Sequence, residues 1–228
     1  MKTFRLKTKD YETQFTLNYK YYKSQCSFDQ LMKISGAYLF VSGFNASYIY
    51  DEPANVTIMQ GKIVTQLFFQ FAQGLITAKI RLLNDDITAP EIETFVQPLI
   101  PGNTVGKEVI LVVKSDRIKN NQTFYTDSNG MELQKRILNY RPTWELEKLD
   151  PWGGNYYPVT STIMIEDIET NERMALITDR AQGGSSLNDS EIEVMLHRTL
   201  QCNDQRGLDE PLLDPSNIFI SIFCYPSK

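Results

Sequence analysis

An all-β protein, an antiparallel β-sandwich with few or no helices, is the fold class this sequence predicts, on three observations. Apolar residues recur with period two, not with the 3.6-residue period of a helix. The alternating runs are rich in β-branched and aromatic residues, which suit a pleated, half-buried surface. Turn signals separate the runs, and no strand–helix–strand rhythm appears, which favours a sandwich over a parallel α/β sheet. The length of 228 residues suits one large β domain or two small ones, and a chain of this size needs no staples to fold.

The elements follow in order. Val56, Ile58 and Gln60 to Ile63 open one strand-like stretch. Gln66 to Phe71 (QLFFQF) and Leu75 to Leu83 (LITAKIRLL) read as a hairpin turned near Gly74. Glu91 to Val96 (EIETFV) and Lys107 to Lys114 (KEVILVVK) are two further strands. Gln122 to Thr126 enters a turn at Asp127-Ser128-Asn129-Gly130, and Met131 to Arg136 returns from it. Asn-Gly supplies the positive φ angles that a tight hairpin turn needs. Thr162 to Ile168 and Arg173 to Thr178 flank a second turn at Glu169-Thr170-Asn171. Glu191 to Leu200 (EIEVMLHRTL) and Ile218 to Cys224 (IFISIFC) complete the set. Ser27 to Ile34 (SFDQLMKI) is the best helical window, with Ser27 as its N-cap. Asn139 to Asn155 (NYRPTWELEKLDPWGGN) holds two prolines, two glycines and both tryptophans. It reads as a covering loop; the other reading is a boundary between sub-lobes.

Composition narrows the function. A net charge of −5 argues against a nucleic-acid binder, because phosphate contacts need clustered Lys and Arg. The one basic cluster, Lys2 to Lys9 (KTFRLKTK), reads as a solvated end. No run of 18 apolar residues exists to span a membrane. The N-terminus carries no apolar stretch of a secretory signal. Cys26, Cys202 and Cys224 are widely spaced, without a metal pattern, and admit either one disulfide or three thiols.

Chemistry is sparse. His197 is the single histidine and lies in a strand-like run, which excludes a zinc site built on two histidines. No GxSxG elbow accompanies it. Acidic pairs at Asp85-Asp86, Glu166-Asp167 and Asp209-Glu210 read as exposed turn acids. The segment Asp179 to Leu187 (DRAQGGSSL) lacks a following helix and a Walker lysine, so it is not a phosphate cradle. It reads as a tight loop whose glycines let the backbone approach a neighbour.

Longer motifs carry a resemblance. Phe124 to Gly130 (FYTDSNG), Tyr140 to Trp144 (YRPTW), Gly154 to Val159 (GNYYPV), Leu176 to Leu187 (LITDRAQGGSSL), Glu193 to Arg198 (EVMLHR) and Asp204 to Pro211 (DQRGLDEP) occur in this order. Ser35 to Phe40 (SGAYLF) and Gly106 to Ile110 (GKEVI) precede them. Together they resemble the C-terminal β region of glycoside hydrolase family 38, the α-mannosidases, nearest the lysosomal type. The sequence departs from the family where Val41 and Ser42 follow SGAYLF and where Ala181 replaces a serine.

The resemblance implies a supersandwich of the galactose-mutarotase-like kind. It covers residues 15–213 as the C-terminal β domain, with 1–14 as an N-terminal extension and 214–228 as a terminal strand and tail. It implies that Tyr38 and Arg206 line a mannose site, through the phenol and mainly through the backbone carbonyl respectively. It implies a catalytic partner region that carries zinc on His and Asp ligands, with an Asp nucleophile, none of which this chain holds. No catalytic residue, metal ligand or cofactor is therefore expected in this chain, and it is expected to be inactive alone. The expected partners are the catalytic domain or subunit, a mannose-containing glycan and other protein chains. A non-catalytic carbohydrate-binding module and a structural or assembly protein on the same fold are the alternatives. Sequons at Asn45, Asn55, Asn121 and Asn188 agree with a lysosomal or secretory setting. With no visible signal, the simplest reconciliation is a piece of a longer or cleaved protein.

Overall fold

A computed structural model describes residues 2–7, 12–24, 34–49, 55–71, 74–84, 89–99, 106–146, 148, 150–204, 207–208 and 210–227. In chain order the strands are β1 (Lys2–Lys7), β2 (Glu12–Lys23), β3 (Ser47–Tyr48), β4 (Asn55–Gln60), β5 (Val64–Phe71) and β6 (Ile76–Leu83). Then come β7 (Glu91–Val96), β8 (Lys107–Ser115), β9 (Thr123–Ser128), β10 (Glu132–Ile137) and β11 (Tyr157–Val159). The last are β12 (Thr162–Asp167), β13 (Glu172–Thr178), β14 (Gln182–Ser185), β15 (Glu191–Thr199) and β16 (Ile218–Ser227). One 3-10 turn, Gly153–Asn155, precedes β11. Among the described residues no helix is long and apolar enough to cross a membrane. The helical window at Ser27 to Ile34 falls almost wholly outside the described residues.

Two antiparallel sheets result. The seven-stranded sheet runs β1-β2-β8-β15-β14-β11, with β3 beside β2; the nine-stranded sheet runs β10-β9-β12-β13-β16-β7-β6-β5-β4. Alternation sets the register, because a one-residue slip would turn every core side chain to the other face. Phe15, Leu17 and Tyr19 of β2, Val109, Leu111 and Val113 of β8, and Ile192 and Val194 of β15 face inward. They meet Ile76, Ala78 and Ile80 of β6, Ile163 and Ile165 of β12, Leu176 of β13, and Ile220 and Ile222 of β16. Each large side chain buried in this way contributes about 1.5–3 kcal/mol.

The expected turns form as the residues dictate. Asn129 and Gly130 adopt φ of 50° and 71°, the positive pair of a tight hairpin between β9 and β10. Asp127 fixes that corner: its carboxylate accepts N–H bonds from Gly130 at 2.7 Å and from Thr160, Ser161 and Thr162 at 2.8, 2.9 and 3.0 Å. Burial pushes its pKa up, but these four donors outweigh burial and hold it at about 2.

Two segments differ from their sequence reading. The basic N-terminal run is an edge strand, since Lys2–Lys7 pairs along Leu17–Glu12. The Gly-Gly-Ser segment is strand β14, flanked by β11 and β15. Its glycines serve close packing: a Cβ on Gly184 would sit 2.8 Å from Val159 Cγ2 and 3.0 Å from Ile163 Cδ1.

β8 explains its own unbroken apolar sequence. Val109, Leu111 and Val113 face the core, while Ile110 and Val112 are buried on the opposite side of the sheet. A strand covered on both faces needs no alternation.

Candidate functional site

What covers the outer face of β8 is the most built-up region outside the core. Tyr22, Ile110 and Val112 form its floor, and Phe40, Trp152, Tyr156, Leu187 and Met195 pack against them. Phe40 and Trp152 come from the 34–46 and 139–156 loops. The second loop is closed by Asn155, which donates to Asn139 Oδ1 at 2.9 Å and Pro151 O at 3.0 Å and accepts from Asn139 N at 2.8 Å. Ser185 of β14 donates to Asn155 O at 2.8 Å and ties that loop to the sheet. The stretch Asn139 to Asn155 is therefore a cover, not a linker.

The 34–46 loop is held as firmly. Ser35 Oγ accepts from Val41 N at 2.9 Å and donates to Val41 O at 3.1 Å. Gly36 and Leu39 exchange backbone bonds at 2.9 and 3.3 Å, making a tight turn over Ala37 and Tyr38. Beneath the turn, Arg198 bonds both carboxylate oxygens of Glu108, at 2.6 and 2.9 Å. The same guanidinium donates to the carbonyls of Gly36, Ala37 and Leu39. Phe40 anchors the loop's far side, 5.2 Å from the rings of both Tyr22 and Tyr156.

Below Phe40 lies a buried carboxylate. Glu193 Oε1 accepts from Tyr22 Oη at 2.8 Å and Tyr156 Oη at 2.5 Å. Burial pushes its pKa up to about 6, against the two tyrosine hydrogen bonds and the charge of Lys20, while Glu191 adds to the rise. Burial and the Glu193 charge raise both phenols well above their ordinary value.

The residues named from sequence fall as follows. Tyr38 stands at the tip of the clasped turn with 76% of its surface exposed. Arg206 lies outside the described residues. Asp204 reaches the Tyr38 loop, because a Cβ on Gly36 would collide with its side chain. His197 is buried in β15, and burial lowers its pKa against the opposing pull of Asp214 and Ser216. Of the acidic pairs, Glu166 pairs with Arg173, and Asp167 caps the β12–β13 turn by accepting from Glu169 N and Thr170 N. Asp85, Asp86 and Asp209 lie outside the described residues. Of the sequon asparagines, Asn45, Asn121 and Asn188 are exposed. Asn55 begins β4. Cys202 is disulfide-bonded, Cys224 is a free thiol in the core with its pKa pushed up to about 12 by burial, and Cys26 lies outside the described residues.

Sequence reasoning missed Glu108, Glu193 and Arg198. One signal was available for Glu193, a charged residue between the apolar Ile192 and Val194 in a strand-like run.

Two antiparallel sheets closed on one shared core define the class of protein, an antiparallel β-sandwich domain. The family model described as "Glycosyl hydrolases family 38 C-terminal domain" matches residues 1–206, and the chain belongs to that family. Its relatives are more particular. The chain is 31% identical over 213 residues to the lysosomal alpha-mannosidase of Dictyostelium discoideum, covering 93% of this chain and 21% of the relative. It is 39% identical over 178 residues to that of Bos taurus, covering 78% and 17%. It is 37% identical over 196 residues to the alpha-mannosidase of Canavalia ensiformis, covering 86% and 20%. The chain thus spans about a fifth of the length of the curated relatives it matches.

Proposed function

We propose that this chain serves an α-mannosidase as its C-terminal β portion, docked to a catalytic region and supplying part of the wall of the mannose pocket. The observation that carries the proposal is Tyr38, exposed on a turn that the Arg198–Glu108 ion pair clasps from below. A phenol can both donate to and accept from sugar hydroxyls, and a backbone carbonyl such as that of Arg206 accepts from them. Asp204, two residues before Arg206 in the sequence, packs against Gly36 of the Tyr38 loop, which supports the reading.

In this reading the catalytic region performs retaining hydrolysis of mannose-containing glycans. A carboxylate attacks the anomeric carbon and a second carboxyl protonates the leaving oxygen, then activates water. The family's zinc belongs to that region. The residues of this chain do not fit it: among those described, no three His, Cys, Asp or Glu side chains converge, and the single histidine is buried. The relatives' lysosomal names, the disulfide-bonded Cys202 and the exposed sequons at Asn45, Asn121 and Asn188 support a lysosomal or secretory location.

Mixing or co-expressing the chain with the catalytic region of a family 38 enzyme tests the proposal. A complex that hydrolyses an aryl α-mannoside is expected. Tyr38→Phe should lower kcat/KM about 3- to 10-fold, the worth of one neutral hydrogen bond. Absence of both complex and activity would overturn the reading.

A further inference from the structure

Arg198 would not face the Tyr38 loop if β15 were a regular strand. Met195 lies opposite Ile110 on the outer face of the sheet. Strict alternation would then turn residue 197 outward and residue 198 into the core. A β-bulge between Met195 and His197 takes up one residue, so that His197 lies opposite Val109 and Arg198 opposite Glu108. Bulges re-aim side chains in this manner.

Once re-aimed, the guanidinium reaches both Glu108 and the Tyr38 turn. Nε and Nη2 bond Glu108 Oε2 and Oε1 at 2.6 and 2.9 Å. Nη1 donates to Ala37 O at 3.2 Å, and Nη2 also reaches Gly36 O at 3.1 Å and Leu39 O at 3.4 Å. The three carbonyls bracket Tyr38 from both sides in sequence. Glu108 is fully buried and also accepts from Ser24 Oγ at 3.2 Å. The carboxylate at the base of the turn is fully buried and Arg198 is largely so, while Tyr38 stands 76% exposed.

Net stability is a poor explanation for this arrangement. A buried ion pair contributes little beyond what a well-packed apolar pair would give in the same space. The planar fork does what an apolar pair cannot, joining a carboxylate to several carbonyls in fixed directions. A lysine, a single compact charge, could satisfy Glu108 but could not span the three carbonyls as well.

We propose that Arg198, held by Glu108, is the positioning residue for Tyr38: it fixes the backbone on both sides and so sets where the phenol stands. The consequence for sugar binding rests on the function proposed above.

Two measurements test this on different footings. The first uses the 228-residue chain without sugar. Amide hydrogen exchange at Gly36 and Leu39 is compared with that at Val112 and Val194 in the wild type, Arg198→Lys and Glu108→Gln. Arg198→Lys keeps the charge beside Glu108, so the fold should persist. Exchange in the turn should quicken about tenfold or more while the strand amides hold, the mark of local opening. Unchanged exchange in the turn, or a rise shared equally by the strands, overturns the positioning role.

The second measurement uses the complex with a catalytic region. Arg198→Lys should raise KM for an α-mannoside with little change in kcat. The double variant Tyr38→Phe/Arg198→Lys should be no worse than Tyr38→Phe alone, since both remove one effect. Additive losses overturn the coupling. If Tyr38→Phe is itself without effect while the turn opens in Arg198→Lys, the sugar reading fails and the positioning role stands.

Discussion

Both sheets give their inner faces to one core, and they part company on the other side. On the seven-stranded sheet, Ile110 and Val112 are fully buried under two loops, beside the buried carboxylates Glu108 and Glu193. On the nine-stranded sheet, Ile177, Phe219, Phe223 and Tyr225 remain 41–51% exposed. Beside them a ladder of ion pairs joins Lys79 and Arg81 of β6 to Glu91 and Glu93 of β7. An antiparallel sandwich folds on its shared core and tolerates water on an outer face. A second buried layer holding ionised groups is therefore an addition that folding does not require, and it lies under the loop that carries Tyr38. The comparison separates structure built for the fold from structure built for the loop.

The sharpest way to break the comparison is to remove a charge from the covered face. Glu108→Ala leaves Arg198 on its three carbonyls with no counter-charge. The stranded Arg198 keeps 24% of its side chain exposed, so the loss should be about 2–3 kcal/mol, at or below the low end for a buried pair. Urea unfolding of the isolated domain measures it. A loss below about 1 kcal/mol would place the pair among ordinary surface salt bridges, and the two outer faces would no longer differ in kind.

Glu193 supplies a smaller effect with a defined sign. Its folded pKa of about 6 lies above the ordinary 4.5. Between these values the folded protein holds a proton that the unfolded chain has released. Its contribution is thus full below pH 4.5 and lost as pH rises through about 6. The difference corresponds to about 2 kcal/mol. His197 works the other way: its pKa is lowered from 6.5, so its contribution is present above 6.5 and lost as pH falls. Glu193→Gln isolates the first effect, because His197 is common to both proteins. The wild type should gain stability relative to the variant on going from about pH 7.5 to about pH 4.5. A difference that does not change with pH would show that Glu193 ionises as an ordinary surface acid. The groups facing it are Tyr22 and Lys20 from β2, Tyr156 from the covering loop, and Glu191 of its own strand. Glu191 is partly neutralised by Lys114 at 3.3 Å.

These contrasts also mark what the sequence discloses. Thr162–Asp167 and Glu172–Thr178 alternate cleanly between core and outer face, and the bounds of Glu91–Val96 are legible to the residue. β2 is less so, because Tyr22 packs on the outer face while Tyr19 packs on the inner one, which blurs the period. β14 reads as a loop because glycine usually marks a turn, whereas here it marks two strands drawn close. Tyr38 and Arg206 became visible only through motif resemblance, since an exposed phenol and a loop arginine carry no pattern of their own. Arg198 was hidden by the bulge, because residue-by-residue alternation assigns it to the wrong face.

The smallest expected effect lies on the open face and is the most direct check of the contrast. Phe219 and Phe223 alternate outward along β16, between the buried Ile220, Ile222 and Cys224. Each is already about half wet, so replacing either by a polar residue removes little burial, and the flanking core is untouched. Phe219→Thr and Phe223→Thr should each change stability by about 0.5–1 kcal/mol or less. Threonine keeps strand propensity, so packing is the only variable. Urea midpoints of the isolated chain give the number. Losses as large as that expected for Glu108→Ala would mean that this face also carries a packed layer essential to the fold. Small losses joined to weaker association with a catalytic region would assign the open aromatic face to docking, and the covered face to presenting Tyr38.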